Sequence, residues 1–270
     1  METIRRQLER AVKGAKIDDA TALNSKPLKV TKEVFLRAVK GAEIKDVRRR
    51  AKLLLLYLSN GTILMFHLKM TGRMLLSDKS RLPTKHTHII FKLSGAKHNL
   101  FFEDYRKFGF VKVFEGQGAL EEYFRQQGYG PEPLSEEFSY EPMKQCLLAR
   151  PKKKIKQVLM EQKCVAGIGN IYASEICFYA RLNPFKKIGD MREDEFKKIY
   201  TGTKEILRKA IASRGSSSDA YLDAYGRAGQ FVPKLKVYGR DGRSCLRCGN
   251  IIKKEMIGGR GTYYCPKCQK

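Results

Sequence analysis

Four cysteines near the C-terminal end constrain this chain more than any other feature. Cys245 and Cys248 form one C-x2-C pair, Cys265 and Cys268 form a second, and 16 residues separate the pairs. Each pair can present two thiolates to one side of a metal ion, and zinc prefers four such ligands in a tetrahedron. The pattern therefore predicts one structural zinc ion, since the protein fills all four coordination positions. Two redox-active pairs are the alternative, but these are typical of a βαβ context that residues 236–270 lack.

The residues between the two cysteine pairs predict a β-hairpin. Residues 250–252 and 262–264 are rich in apolar and aromatic side chains, and the turn sequence Gly-Gly-Arg-Gly lies between them at 258–261. Glycines beside Arg260 let its guanidinium approach a phosphate closely and bind it with two hydrogen bonds. An exposed arginine without a ligand is the alternative for Arg260 taken alone.

The chain carries a large excess of positive charge. It has 54 Lys+Arg against 28 Asp+Glu, which gives a formal net charge of +26. Such a charge favours a polyanionic partner, with nucleic acid first and an anionic membrane surface second; a generally basic proteome is the alternative. No run approaches about 18 apolar residues, and the N-terminus lacks the apolar region of a signal peptide. We therefore expect an intracellular protein that has no membrane partner.

Three further cysteines, Cys146, Cys164 and Cys177, lie in segments with helical periodicity. In a reducing compartment, cysteines are typical of metal sites or free thiols rather than of disulfides. We therefore predict that these three residues are thiols packed in the interior of the protein.

The spacing of apolar residues changes twice along the chain. Residues 2–13 show helical spacing, whereas residues 27–115 show short apolar runs between turn signals. The runs Leu53–Leu58 and Thr62–Leu68 flank Ser-Asn-Gly and predict a hairpin. Residues 138–213 return to helical spacing. The pattern predicts an α+β fold: an N-terminal antiparallel β-sandwich or flattened barrel with an opening helix, then a helical domain, then the zinc hairpin.

Composition predicts where these parts begin and end. Residues 128–142 are rich in Gly and Pro and form the predicted linker, and residues 214–232 are rich in Gly, Ser and Asp and form a predicted mobile loop. The predicted divisions are the β-sandwich domain at 1–127, the linker at 128–142, the helical DNA-binding domain with its loop at 143–232, and the zinc finger at 233–270.

A glycine-rich turn within Val165–Glu175 joins two helical stretches. Gly167 and Gly169 allow close approach of the backbone, and the next helix presents unpaired N–H groups, an arrangement that binds phosphate. Asn170 adds a side-chain donor, and the basic run Lys152–Lys156 adds charge on the preceding helix. A plain turn between helices and a solvated basic face are the alternatives.

Several motifs occur in an order that resembles one known family. They are Glu2–Arg6, Arg49–Lys52, His67–Arg73, Asp104–Gly109, Gly130–Leu134, Val165–Glu175, Val237–Arg240 and the zinc module with Gly259–Cys265. Together they resemble bacterial formamidopyrimidine-DNA glycosylases of the Fpg/Nei family from end to end, except at the extreme N-terminus. The last motif favours this branch over the endonuclease VIII branch.

The resemblance implies a base-excision repair enzyme whose partner is damaged double-stranded DNA. Such an enzyme removes oxidised purines, 8-oxoguanine and formamidopyrimidines, and nicks the abasic strand by β,δ-elimination. The damaged nucleotide must leave the base stack to be reached. By resemblance, Met70, Arg106 and Phe108 form the wedge that fills the gap, and residues 216–230 close over the flipped base. Core packing is the alternative for Met70 and Phe108.

The resemblance also implies roles for the remaining site residues. Lys52, which matches a lysine that contacts phosphate and assists at the lesion, and Arg260 are the predicted catalytic residues. The predicted DNA contacts are His67, His86, Arg106, Lys152, Asn170 and Arg260. A monomer in the bacterial cytoplasm, associated with the nucleoid, is implied as well.

The chain departs from the family at its first residues. The family begins Met-Pro-Glu-Leu-Pro-Glu-Val; the proline amine attacks the deoxyribose C1′ as nucleophile, and the next glutamate acts as general acid/base. Here Met1 stands at the valine position. One explanation is a start codon placed too late, and the other is a catalytically impaired DNA- or lesion-binding protein. A third candidate, an unrelated zinc-finger regulator, is weakened because the finger supplies one arginine and no set of base-reading side chains.

Overall fold

A computed structural model describes residues 1–216 and 222–270 of the chain. These residues form two compact units. The first comprises Met1–Gln127 and Arg214–Gln230, and the second comprises Gly128–Ser213 and Phe231–Lys270. Within the described ranges, no helix combines the length and the apolar character that crossing a membrane requires.

The first unit consists of β-strands and short α-helices. Its helices are α1 (Glu2–Val12), α2 (Lys32–Val39) and α3 (Gln117–Gln127), and its strands are β1 (Lys16–Ala22), β2 (Ile44–Arg50), β3 (Leu53–Leu58), β4 (Thr62–His67), β5 (Gly72–Ser77), β6 (Thr87–Ser94), β7 (Asn99–Asp104) and β8 (Phe110–Glu115). Ile4, Leu8 and Val12 are all buried on one face of α1, as their helical spacing predicts.

The strands form two antiparallel sheets, with the orders β1-β6-β7-β5 and β2-β3-β4-β8. Aromatic rings join the sheets: Phe66 on β4 lies edge-on to Phe91 on β6 at 6.3 Å and to Phe102 on β7 at 5.6 Å between ring centroids. Edge-to-face contacts of this kind are favourable beyond the area they bury. The predicted hairpin is β3–β4, with Leu53 paired to His67. The predicted N-terminal β-sandwich is therefore confirmed.

The second unit is mainly helical. Its elements are α4 (Tyr140–Leu148), α5 (Ile155–Met160), α6 (Asn170–Tyr179), α7 (Glu193–Ala212), the 3-10 helices Ile188–Asp190 and Val232–Lys234, and the hairpin strands β9 (Lys253–Ile257) and β10 (Arg260–Tyr264). Apolar side chains from the four α-helices meet in one core, for example Leu147, Val158, Ile176 and Ile199. The predicted order of helical domain and zinc hairpin is confirmed.

The prediction of packed thiols is wrong for two of the three cysteines. Cys146 and Cys164 form a disulfide, with their Cα atoms 5.4 Å apart. Helical periodicity did not reveal that α4 and the segment before the glycine-rich turn share one core, and this packing brings the two sulfurs together. Cys177 is a buried thiol, as predicted, and burial raises its pKa to about 12.

Two segment boundaries differ from the sequence patterns. Helix α4 begins at Tyr140, inside the segment 128–142 that its Gly and Pro content marked as a linker. Pro142 lies in the first turn of α4, where the missing N–H of proline costs no helical hydrogen bond. Helix α5 begins only at Ile155, so Lys152 lies in the turn that precedes the helix.

Candidate nucleic-acid interface and metal centre

The four cysteines near the C-terminus converge on one point. Their sulfurs all lie within 4.8 Å of one another. The Sγ atoms of Cys248 and Cys265 are 3.5 Å apart, and those of Cys245 and Cys268 are 4.0 Å apart. A tetrahedron of sulfurs at about 2.3 Å from zinc has edges of about 3.8 Å. The donor set and its spacing therefore fit one structural zinc ion with four protein ligands.

The zinc hairpin places Arg260 beside its turn. Arg260 pairs with Ile257, which leaves Gly258 and Gly259 as a two-residue turn between β9 and β10. Both glycines have positive φ angles, 53° and 70°. A turn of this type matches the twist of a hairpin, and residues with side chains rarely adopt it. Arg260, whose side chain is exposed, is therefore the first residue of β10, directly after this two-glycine turn.

Lys156 connects helices α5 and α6 to the zinc hairpin. Its side chain is fully buried, and Nζ donates to Asn170 Oδ1 at 2.5 Å and to Thr262 Oγ1 at 2.8 Å. Burial lowers the pKa of Lys156 to about 8, and the charge of Arg260 acts in the same direction. Sequence reasoning missed this role because Lys156 belongs to a basic run. The available signal was its place beside Ile155, Val158 and Leu159, the apolar residues that α5 buries.

The glycine-rich turn before α6 is held by Gln162. Its Nε2 donates to the carbonyl oxygen of Ile168, and its Oε1 accepts from the backbone N–H of Gly167, both at 2.7 Å. Gly167 has a positive φ of 82°, which favours glycine. The N-cap residue of α6, Gly169, provides no side-chain cap for the first N–H groups of the helix. Such an N-terminus is able to bind an anion.

The side chain of Asn170 joins the helix N-terminus to the zinc hairpin. Its Oδ1 accepts from Lys156, and its Nδ2 donates to the carbonyl oxygen of Gly261 at 2.9 Å. An amide nitrogen carries two hydrogens, so this bond uses one of the two donors. The hairpin therefore fixes the orientation of the amide at the start of α6.

In the first unit, His67 lies at the end of β4, beside the turn that carries Lys52. The backbone N–H of Lys69 donates to His67 Nδ1 at 2.9 Å, which requires a tautomer with its hydrogen on Nε2. Burial lowers the pKa of His67 to about 4, and the charges of Lys69 and Lys52 add to this effect. At neutral pH, His67 is therefore an uncharged donor within electrostatic reach of Lys52.

The predicted wedge residues lie in two loops. Met70 lies between β4 and β5, and Phe108 lies between β7 and β8. They are 55% and 56% exposed, which rules out core packing for both. The guanidinium carbon of Arg106 lies 5.0 Å from the centre of the Phe108 ring, a cation–π distance. The two apolar side chains are therefore available to a ligand.

Asp104 ties these two loops together. The residue is fully buried, and its Oδ1 accepts from the Thr71 hydroxyl at 2.5 Å and from the backbone N–H of Arg106 at 3.2 Å. Its Oδ2 accepts from the backbone N–H of Gly109 at 2.7 Å. One carboxylate therefore positions both loops that carry the predicted wedge residues. Sequence reasoning did not single it out, although it begins the motif Asp104–Gly109.

His86 borders the same loops. Its ring lies 4.1 Å from that of Tyr105 between centroids, and the guanidinium carbon of Arg73 lies 4.6 Å from the Tyr105 ring centre. The carbonyl oxygen of His86 accepts from the backbone N–H of Asp104 at 3.0 Å. His86 is therefore anchored next to the wedge loops.

Residues 217–221 of the predicted capping loop at 216–230 lie outside the described residues. Its later part contacts α1 and β5. Gln7 Nε2 donates to Asp223 Oδ2 at 2.8 Å, and Gln7 Oε1 accepts from the backbone N–H of Ala224 at 3.0 Å. The backbone N–H of Leu76 donates to the Ala224 carbonyl at 2.7 Å. These bonds fix where the C-terminal part of the loop returns to the first unit.

The predicted site residues fall into two groups. The first unit contains Lys52, His67, Met70, His86, Arg106 and Phe108. The second unit contains Lys152, Asn170, Arg260 and the four cysteines. Within the second unit, the structure joins Asn170 to the zinc hairpin, and it leaves Lys152 exposed in the turn before α5.

Three domain families match the chain. Residues 1–111 match the formamidopyrimidine-DNA glycosylase N-terminal domain. Residues 129–221 match the formamidopyrimidine-DNA glycosylase H2TH domain, and residues 244–270 match a zinc finger found in FPG and IleRS. The zinc-finger match falls on the four converging cysteines and supports the structural zinc ion.

Curated relatives and solved structures match over the full chain. The formamidopyrimidine-DNA glycosylases of Listeria innocua and Carboxydothermus hydrogenoformans are 40% and 41% identical, over 100% of this chain and 98% of each relative. A Lactococcus lactis FPG mutant in complex with Fapy-dG-containing DNA superimposes with a TM-score of 0.94, at 34% identity, over 100% of this chain and 97% of that one. A complex of Lactococcus lactis Fpg with DNA containing an abasic site gives 0.93 at the same identity and coverage. The chain belongs to the formamidopyrimidine-DNA glycosylase family.

Proposed function

We propose that this chain is a base-excision repair enzyme, a DNA glycosylase and abasic-site lyase that acts on oxidised purines in duplex DNA. The observation that carries the proposal is the exposed pair Met70 and Phe108, held beside Arg106 by the buried Asp104. Exposed apolar side chains on a strongly basic protein suit insertion between bases. The relatives at 40% and 41% identity bear the name of this enzyme, which supports the same activity here.

Base excision begins when the damaged nucleotide leaves the stack, which costs a few kcal/mol. In the proposed mechanism, Met70 and Phe108 occupy the gap and offset part of this cost by stacking. Arg106 donates hydrogen bonds to the orphaned base on the other strand. The hydrogen bonds to Asp104 matter because loops that are held in place before binding lose less entropy on binding.

Phosphate contacts are proposed to hold the strand in register. His67 is suited to this because its Nε2–H is a donor that carries no charge at neutral pH. Lys52 then places a cation beside it, where it stabilises negative charge as the damaged base and the 3′ phosphate depart. His86 and Lys152 are proposed as further contacts along the backbone.

In the second unit, we propose that the N-terminus of α6 and Arg260 both bind phosphates of the DNA backbone. The helix N-terminus supplies backbone N–H groups and the positive end of the helix dipole. Arg260 supplies a planar guanidinium that can bind a phosphate with two hydrogen bonds. The zinc ion takes no part in bond breaking, because its four ligand positions are filled by cysteines.

The alternative of a catalytically impaired DNA-binding protein is not supported by these relatives. We further propose that the protein works as a monomer, in the cytoplasm, at the nucleoid. The nucleoid follows from the proposed partner, because damaged duplex DNA is an extended polyanion and the formal net charge of +26 suits it.

Strand cleavage tests the proposed function. The expressed chain is incubated with duplexes that carry 8-oxoguanine opposite cytosine, an abasic site or no damage, with and without borohydride. We expect cleavage and a borohydride-stable cross-link on both damaged duplexes and neither on the undamaged one. In this chain a primary amine, that of Met1 or of a lysine, takes the place of the family's proline: it bonds to the deoxyribose C1′ as the damaged base, or water at an abasic site, leaves, and borohydride reduces the resulting Schiff base. Phe108→Ala should lower cleavage at 8-oxoguanine about tenfold or more and leave binding to undamaged duplex nearly unchanged.

Leu82→Ala is the matched control, because Leu82 is an apolar residue that is 81% exposed outside the wedge. Tight, salt-sensitive binding without cleavage or cross-link would favour the impaired DNA-binding protein instead. Equal loss of binding to damaged and undamaged duplexes in Phe108→Ala would refute the wedge.

A further inference from the structure

A ligand-sized groove lies in the second unit, apart from the residues of the proposed phosphate site. It has a volume of about 760 Å³ and lies between α6, α7, the 3-10 helix Val232–Lys234 and the first cysteine pair. Its floor is apolar, since Phe178, Ile206 and Phe231 line it and are 4%, 8% and 4% exposed. Leu246 stands at its edge and is 60% exposed. A volume of this size suits a ligand of several side chains.

Cationic side chains border the apolar floor. They come from three different elements: Lys209 on α7, Lys234 and Lys236 around the 3-10 helix, and Arg247 in the first cysteine pair. Lys209 also forms an ion pair with Glu205: the Nζ atom of Lys209 lies 3.7 Å from a carboxylate oxygen of Glu205. The cations therefore surround the floor instead of forming one cluster.

The acidic side chain of the lining is already satisfied within the protein. In the part of the chain that the structure describes, Glu175 is the one carboxylate that lines the groove. It is 2% exposed and accepts backbone N–H bonds from Lys236 at 2.9 Å, Val237 at 2.9 Å and Tyr238 at 3.0 Å. The remaining field at the groove is therefore positive.

The groove lies at the opposite end of α6 from the proposed phosphate site. Asn170 begins the helix and Phe178 lies eight residues later, a distance of about 12 Å along the axis. Arg247 closes this end: its Nη1 donates to the carbonyl oxygen of Phe178 at 3.2 Å, and its guanidinium carbon lies 4.1 Å from the ring centre. A ligand in the groove therefore leaves the start of α6 open to DNA.

We propose that this groove binds an acidic segment of a partner protein, with a bulky apolar residue on the floor and carboxylates against the bordering cations. The lining on α7 runs from Ile206 to Ala212, about 9 Å of helix. An extended segment of about three residues spans this length. The charge of the border and the apolar floor together match such a segment, and the inference does not rest on the glycosylase activity.

Single-stranded nucleic acid would also meet cations, but it needs open aromatic faces for its bases to stack on. The Phe178 ring is 4% exposed and is covered by Arg247. The Tyr179 ring lies directly on α7, since a Cβ atom added to Gly202 would come within 2.6 Å of its Cδ1. The buried Phe178 ring therefore offers no stacking face. Tyr179 is 37% exposed, but a single ring does not provide the row of stacking faces that successive bases need, so the groove favours an aliphatic or aromatic side chain inserted from a peptide.

Fluorescence anisotropy with a labelled peptide tests the proposal. The probe is fluorescein-Gly-Asp-Glu-Asp-Leu-Phe, and two matched peptides replace its acids by their amides or its last two residues by alanines. We expect each replacement to weaken binding at least about tenfold, because each removes one half of the recognition. Lys236→Glu and Leu246→Ala should each weaken binding of the acidic probe by a similar factor. Lys197→Glu, on the same helix as Lys209, should leave its binding unchanged.

Lys236→Glu keeps the backbone N–H that Glu175 accepts but reverses a charge that favours this buried carboxylate, so zinc content and circular dichroism are compared with those of the unaltered protein. Cleavage of damaged duplex should also stay unchanged in this variant, which separates the groove from the proposed function. Saturating duplex DNA should leave the probe bound. Equal affinity for all three peptides, or displacement of the probe by a short oligothymidine, would overturn the proposal.

Discussion

At the residue scale, Lys156 shows how a buried charge can organise the surface that we propose binds DNA. Its ammonium group reaches Asn170 at the start of α6 and Thr262 in the zinc hairpin. Desolvation is the larger influence on this lysine, since it lowers the pKa to about 8. The cost of burying the charge is offset by hydrogen bonds, and these bonds set the position of the groups beside Arg260.

Replacing Lys156 with methionine is expected to destabilise the second unit by about 1–3 kcal/mol, because Asn170 Oδ1 and Thr262 Oγ1 lose their buried donor. Urea denaturation measures this loss, and salt-dependent DNA affinity should fall with it. Lys152→Met, at an exposed lysine nearby, is the control for stability, which it should leave unchanged. If both variants lower the stability equally, the buried hydrogen bonds of Lys156 do not stabilise the second unit.

Lys156 and Lys152 together show which features could be predicted from the sequence and which could not. A run of basic residues does not reveal which member turns inward, since that depends on where α5 begins. The four cysteines were predictable because their spacing alone defines a zinc site. The disulfide between Cys146 and Cys164 was not, because it depends on packing between segments that are distant in sequence.

At the scale of elements, the proposed wedge depends on two loops that Asp104 joins. The strands on either side were predictable from their apolar runs, and β5 and β7 place Gly72 opposite Asp104. The bonds from Thr71, Arg106 and Gly109 to this carboxylate were not predictable, because they depend on loop conformation. Lys69 and Lys107, one in each loop, adopt positive φ angles of 51° and 57°.

Asp104→Asn is expected to loosen the wedge. An amide group has one oxygen where the carboxylate has two, so at least one of its three donors loses its acceptor. We expect a loss of about 1–3 kcal/mol in stability and about tenfold slower cleavage of damaged duplex, with affinity for undamaged duplex retained. Asp78→Asn is the control, since the Asp78 side chain is 83% exposed. If the Asp104→Asn protein is less stable but cleaves damaged duplex at an unchanged rate, Asp104 does not position the wedge residues.

At the scale of the whole molecule, the zinc ion supports more than its own hairpin. Removal of zinc by a chelator is expected to unfold the hairpin and to weaken DNA binding by tenfold or more, because Lys156 and Asn170 lose their partners there. Zinc content and DNA affinity are measured together on the same sample. Cys268→Ala should reproduce the effect, and Cys177→Ala, which removes a thiol outside the cluster, should not. Retained affinity after verified zinc loss would contradict this link.

The zinc finger of this chain matches a type that is found in both FPG and IleRS, which suggests a module that evolution can move between proteins. The hydrogen bonds from Lys156 and Asn170 limit that freedom here. A chimaera that exchanges only residues 244–270 would bring in a foreign surface opposite a buried ammonium group. Successful exchange should therefore require the host lysine and asparagine to travel with the finger, so that the inherited unit is larger than the finger itself.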